Sequence, residues 1–185
     1  MGRYDEALAN FNRAIELQPN YAWAIASRGE TYRLMEHYDE ALADFNRAVE
    51  LEPDEDWPLY DRALIYQALR QVVEVHADLT VAIQYARQTY EETSQDWRNI
   101  FNLALYHLAA GESMEAERLY REALSGEASP YLIREAIRNL DDLLALFPDH
   151  LQAQTMRDLL QAHLEEKSSS PTTRGPSPKR EILTG

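Results

Sequence analysis

The sequence contains no cysteine, which removes disulfides, thiolate nucleophiles and zinc–thiolate sites together. Lysine is almost as scarce: residues 1–166 hold fourteen arginines and no lysine. No Gly-rich phosphate loop occurs, and the body has no lysine to serve one. A run of about eighteen apolar residues is absent, as is a charged-then-apolar leader, so neither a membrane span nor secretion is expected. A cytoplasmic location is the default expectation. Basic charge is also in deficit. The formal net charge is −14; residues 167–185 carry +3 of their own, which leaves −17 for residues 1–166. Such a surface repels phosphate backbones, and nucleic acid is not an expected partner. Two explanations of the acidity stay open: solvated faces that keep the chain soluble, or a patch that meets a basic partner.

What the sequence does have is repetition. Residues Tyr4 to Pro19 read YDEALANFNRAIELQP, and Tyr38 to Pro53 read YDEALADFNRAVELEP, thirty-four positions later. Three columns extend the pattern: Ala7, Ala41, Val75 and Ala116; Phe11, Phe45, Leu79 and Tyr120; Ala14, Ala48, Ala82 and Ala123. All three step by 34, 34 and 41, so about seven residues are inserted between Ala82 and Ala116. Small, large and small side chains at i, i+4 and i+7 share one helix face. Alanine there lets a neighbouring helix come close while the large ring fills the gap. A period of this length is the signature of stacked helical units.

With these residues in view, the sequence resembles the tetratricopeptide repeat family, whose 34-residue helix-turn-helix unit carries Leu, Gly or Ala, Tyr, Ala, Phe or Tyr, Ala and Pro at fixed offsets. In the unit Ala22–Glu55 the matching residues are Ile25, Gly29, Tyr32, Ala41, Phe45, Ala48 and Pro53, and Arg28 departs where Leu is usual. The next unit keeps Leu59, Ala63, Tyr66, Leu79 and Ala82; the one from Trp97 keeps Ile100, Leu103, Ala104, Ala116, Tyr120 and Ala123. The resemblance is strong to Pro53, weaker to Leu124 and faint beyond. It implies an all-α, right-handed superhelical solenoid of antiparallel helix pairs.

In chain order the periodicity predicts nine helices, near 3–18, 21–35, 38–51, 56–69, 72–92, 96–110, 113–125, 130–146 and 150–165. Pro19, Pro53, Pro130 and Pro148 fall at junctions. Gly111 suits a left-handed cap on the sixth helix, and Ser129 and Asp149 read as helix starts. The insertion lengthens the fifth helix by about 10 Å, which should protrude past the stack or tilt its neighbour. Residues 1–20 read as a half repeat, the second helix of a unit; residues 21–166 as the array with a degenerate C-terminal capping pair; residues 167–185 as a disordered basic Ser/Pro-rich tail. Two accounts of the half repeat stay open: the chain is a piece of a longer array, or this edge docks on something, a second copy included.

No catalytic arrangement emerges. The five histidines are His37, His76, His107, His150 and His163. His76 and Asp78, two apart on a helix, diverge, and His107 replaces the core Tyr of the repeat, where packing explains it. Acid pairs such as Asp141 with Asp142 fall on solvent faces or helix ends. We therefore expect no enzyme, no metal and no cofactor.

A surface remains. In the tetratricopeptide family the first helix of each unit lines a concave groove, and the resemblance carries that role to Trp23, Glu30, Arg33, Trp57, Tyr60, Gln67, Arg98, Phe101 and Asn102. Trp23, Trp57, Tyr60 and Phe101 are the expected large anchors; for the two tryptophans inter-helix packing is an equal alternative. Some family members grip a partner's C-terminal carboxylate with Lys and Asn. The corresponding positions here hold Ala26, Glu30 and Asp61, leaving Arg98 and Asn102, so a peptide with apolar anchors and positive charge suits the groove better. The expected function is a non-catalytic protein–protein interaction module or scaffold. The alternatives are a sensor arm of a larger signalling or nucleotide-hydrolysing protein, and self-assembly through the half repeat.

Overall fold

Each thirty-four-residue unit becomes two antiparallel helices because its small-large-small face can be buried only against the next helix. The computed structural model describes residues 2–93 and 95–169. Among them the chain runs α1 (Gly2–Leu17), α2 (Ala22–Leu34), α3 (Tyr38–Leu51), α4 (Asp56–Ala68), α5 (Val72–Glu92), α6 (Trp97–Ala109), α7 (Ser113–Ser125), α8 (Pro130–Leu146) and α9 (Leu151–Ser169). The result is an all-α tetratricopeptide-like solenoid. Helices pair as α2 with α3, α4 with α5, α6 with α7 and α8 with α9, and successive pairs lean on one another. The last helix continues through Lys167 to Ser169, past the expected start of the tail; the rest of that tail, 170–185, lies outside the described residues.

The repeat columns become the core. Ala41, Ala82, Ala116 and Ala123 have no exposed surface, nor do Phe45 and Tyr120. Their counterparts on α1, Ala7, Phe11 and Ala14, are only half-buried, as expected for a helix whose stripe lacks a partner on one side. The core divides in two: Ile25, Ala26, Ala41, Phe45, Ala48 and Ile65 form the N-terminal cluster, and the larger cluster runs from Leu59 to Leu164. The lengthened α5 does not simply overhang. Near its end Tyr90 packs on the larger cluster and donates to Glu122 of α7 at 2.9 Å.

The turns inside the units share one geometry. Glu36, Arg70 and Gly111 occupy the same column, and all three have positive φ, at 61°, 60° and 82°. After each, a backbone N–H reaches back across the helix end: His37 to the Tyr32 carbonyl at 2.9 Å, Gln71 to Tyr66 at 2.8 Å and Glu112 to His107 at 2.8 Å. This is a Schellman cap, and Gly111 supplies it as the sequence predicted. The left-handed conformation, which glycine adopts freely, costs a residue with a side chain about 1 kcal/mol or more. Arg70 is exposed, so Arg70→Gly should stabilise the fold by about 0.5–1 kcal/mol once the entropy of the unfolded glycine is deducted. Calorimetry should show a melting temperature raised by about 2 °C; a drop would mean that the Arg70 side chain contributes contacts of its own. Gly126 is needed for another reason. A Cβ there would lie 2.2 Å from Cη2 of Trp97, so the α7–α8 turn runs against the indole.

Two expected helix starts turn out differently. Ser129 caps α8, its hydroxyl accepting from Leu132 N–H at 3.4 Å. Asp149 does not cap α9; the ring Nδ1 of His150 accepts from Ala153 N–H at 3.3 Å instead.

Arg28, the departure from the repeat pattern, is explained by a clamp. Its Nε and Nη2 donate to the two oxygens of Asp44 at 2.8 and 2.7 Å, and its Nη1 donates to Asn12 at 2.8 Å. Thirty-four residues on, Arg62 repeats the arrangement with Asp78 and Asn46 at the same distances. Each arginine thus joins the two helices of its own unit through a fork-to-fork ion pair and reaches the preceding unit through its bond to asparagine.

Candidate functional site

On the first helix of each unit, α2, α4, α6 and α8, side chains one or two turns apart lie on one face, and those of the four helices converge. They enclose a cavity of about 350 Å³. From α2 come Trp23, Glu30 and Arg33; from α4 Trp57, Tyr60, Asp61 and Leu64; from α6 Arg98, Asn102, Leu105 and Tyr106; from α8 Glu135, Asn139 and Asp142. Seven residues predicted for the groove therefore meet in one space: Trp23, Glu30, Arg33, Trp57, Tyr60, Arg98 and Asn102. Trp23 and Trp57 also border an adjoining pocket with Tyr21, Glu52 and Glu55. Trp23 is 52% exposed, with the edge of Phe11 and the tilted ring of Tyr21 near it.

Two of the expected anchors are not open. Tyr60 is 7% and Phe101 4% exposed. The Tyr60 ring lies 4.9 Å from that of Tyr106, and Phe101 packs on Tyr120 at 6.0 Å. Both rings belong to the larger core cluster, covered in part by Tyr106 of α6 and Tyr120 of α7. Phe101 is core, and Tyr60 touches the cavity from within its wall. Gln67 belongs elsewhere: it lines a separate pocket with Gly111, Ser113 and the α8–α9 turn. The polar α8 residues Glu135, Asn139 and Asp142 were missed because the repeat pattern fades past Leu124, so no register carried groove positions to that helix.

The cavity is polar and short of positive charge. Four carboxylates, Glu30, Asp61, Glu135 and Asp142, line it against two guanidiniums, Arg33 and Arg98. Arg98 is already engaged, donating twice to Glu135 at 2.9 and 3.2 Å across the α6–α8 junction. Arg33, 4% exposed, sets its Nε 2.9 Å from Asp61, yet out of line for a good hydrogen bond, so that N–H has no acceptor. The Tyr60 hydroxyl is buried with no partner. Burial pushes the carboxyls of Glu30, Asp61 and Asp142 above the usual range, with Arg33 pulling the other way. Glu30, with Asp61 nearby, is raised to about 7. Burial likewise raises Asp56 to about 6 although Tyr106 donates to it at 3.1 Å.

His107 is 2% exposed; its Nδ1 pairs with Glu112 and its Nε2 lies 3.0 Å from Arg87, a packed histidine away from the cavity. Among the described residues no group of three or more His, Asp or Glu side chains is placed to hold a metal ion, and no helix is long and apolar enough to cross a membrane.

Residues 1–54 match the family model described as tetratricopeptide repeat. No curated protein matches the chain. Among solved structures, the chain is similar to BtubC (BKLC) from P. vanneervenii, at 14% identity and a TM-score of 0.55, covering 100% of this chain and 82% of that one. It is also similar to TTC0263, a thermophilic tetratricopeptide protein of Thermus thermophilus, at 20% identity and a TM-score of 0.52, covering 87% and 92%. At these identities the likeness speaks for the fold. Residues 1–54 thus carry tetratricopeptide repeats by sequence, and the stacked helix pairs of the chain have the fold of a tetratricopeptide repeat protein.

Proposed function

We propose that the chain is a non-catalytic module that binds a protein segment on its concave face. One observation carries this reading: a cavity shared by four helices is lined by two indoles, Trp23 and Trp57, that also border the pocket beside it. Large aromatic rings with adjacent hydrogen-bonding groups are the composition of binding hot spots. A segment of about a dozen residues would lay an apolar side chain against Tyr21 and the indoles and direct a polar one inward. The surplus of carboxylates favours a segment that carries positive charge.

The test uses random dodecapeptides displayed on phage and enriched on the full chain. Replacing Trp23 and Trp57 together by Ala should weaken the enriched peptides at least tenfold while circular dichroism stays helical. Peptides that bind the double variant as well as the parent would place recognition on another face.

A further inference from the structure

We infer that the cavity between α2, α4 and α8 takes one primary ammonium group, the side chain of a lysine on the bound segment. The inference rests on the reading of the concave face as a segment-binding surface, and adds which side chain enters and what receives it.

Three features point to an ammonium. The first is the charge balance. Once Arg98 is counted against Glu135, three carboxylates, Glu30, Asp61 and Asp142, face one guanidinium, Arg33. Carboxylates gathered out of water are costly unless a cation joins them. The second is the Tyr60 hydroxyl, whose buried oxygen has no partner on a cavity-lining side chain that is 7% exposed. Buried polar groups are seldom left unpaired without a functional reason, and this one can accept from a donor placed among the carboxylates. The third is the pair of indoles. Trp23, 52% exposed, and Trp57 line the cavity, and indole faces favour both the methylenes of an alkyl stem and a nearby cation.

The shape of the charge distinguishes among cations. An ammonium offers three donors from one compact centre, and the unpaired Tyr60 oxygen together with one or two of the carboxylates is enough to receive it. A guanidinium wants a flat, two-pronged acceptor, and the cavity already holds one beside Asp61. A metal ion needs its ligands drawn to a common point, an arrangement that the described residues do not offer.

Peptides enriched from the dodecapeptide library should share a lysine at one fixed position. In a synthetic copy, replacing that lysine by norleucine should weaken binding at least thirtyfold. Asp142→Asn should weaken the lysine peptide about tenfold and leave the norleucine peptide unchanged, a coupling that general loss of structure would not produce. Thermal melts of Asp142→Asn confirm that α8 stays in place. Three results overturn the inference. Enriched peptides that depend on Trp23 and Trp57 but share no basic residue leave the segment-binding reading intact and remove the ammonium. A fixed arginine in place of lysine does the same. If no peptide depends on the two tryptophans, both readings fall together.

Discussion

Asp78→Ala should cost about 3 kcal/mol, and Arg62→Leu made together with Asp78→Leu should recover most of that loss. The Arg62 side chain is 15% and the Asp78 side chain 9% exposed, and two hydrogen bonds join them. Removing the carboxylate strands a guanidinium in a site that water scarcely reaches, and breaking a buried pair in this way typically costs about 3–5 kcal/mol. The lower end applies because Asn46 still accepts from Arg62 and the guanidinium retains a contact with the Tyr66 ring at 6.0 Å.

The reason to expect recovery is that the chain has made the double replacement itself. The column Arg28, Arg62 continues as Leu103, and the column Asp44, Asp78 continues as Leu119. Both leucines are buried in the larger core cluster, so in that unit two apolar side chains fill the place that an ion pair fills in the other two. Pairs of this kind are often replaceable by well-packed apolar residues at little cost. Urea unfolding should show the midpoint lowered for Asp78→Ala and largely restored for the Leu/Leu variant at unchanged slope. A Leu/Leu variant as unstable as Asp78→Ala would mean that the link to Asn46 in the preceding unit, and not relief of a buried charge, decides the matter.

The same two columns show how much was legible in the sequence. The alanine and ring columns gave the helix borders to within a few residues, because a face that must bury itself against a neighbour leaves a strict 3.6-residue record. The clamp was legible too, since Arg and Asp exchange for Leu in the same unit; read singly, Arg28 looked like an exception. Seven of the residues that the family resemblance assigned to the groove line one cavity, because the resemblance supplies a face for each first helix. The depth of a residue on that face was not legible. Tyr60 and Phe101 were assigned to the open face of α4 and α6, yet their rings meet Tyr106 and Tyr120 and are buried in the core. The capping of α9 by His150 in place of Asp149 is a smaller case: either residue could accept from the first turn, and only the chain path chooses.

Glu30→Gln should stabilise the unliganded protein at pH 8 by about 2 kcal/mol and leave it nearly unchanged at pH 4.5. Glu30 is half-buried with Arg33 on its own helix, Tyr60 and Asp61 on α4, Arg98 and Tyr106 on α6, and Glu135 and Asp142 on α8 around the same cavity. Burial and then Asp61 raise its folded pKa from 4.5 to about 7. Between these values the folded chain keeps a proton that the unfolded chain has released, so stability falls as pH rises across the window. Above pH 7 the full penalty is present; a neutral amide never incurs it. A shift of this size corresponds formally to about 3 kcal/mol, reduced here because Glu30 is partly solvated. Differential scanning calorimetry should show the melting temperatures of parent and variant coinciding near pH 4.5 and separating by about 4–8 °C at pH 8. The opposite result, a variant less stable at pH 8, would mean that Glu30 holds Arg33 in place and that the carboxylate supports the fold. If the expected result is found together with loss of lysine-peptide binding in the same variant, the carboxylate is kept despite the stability it removes, as residues that serve a ligand often are.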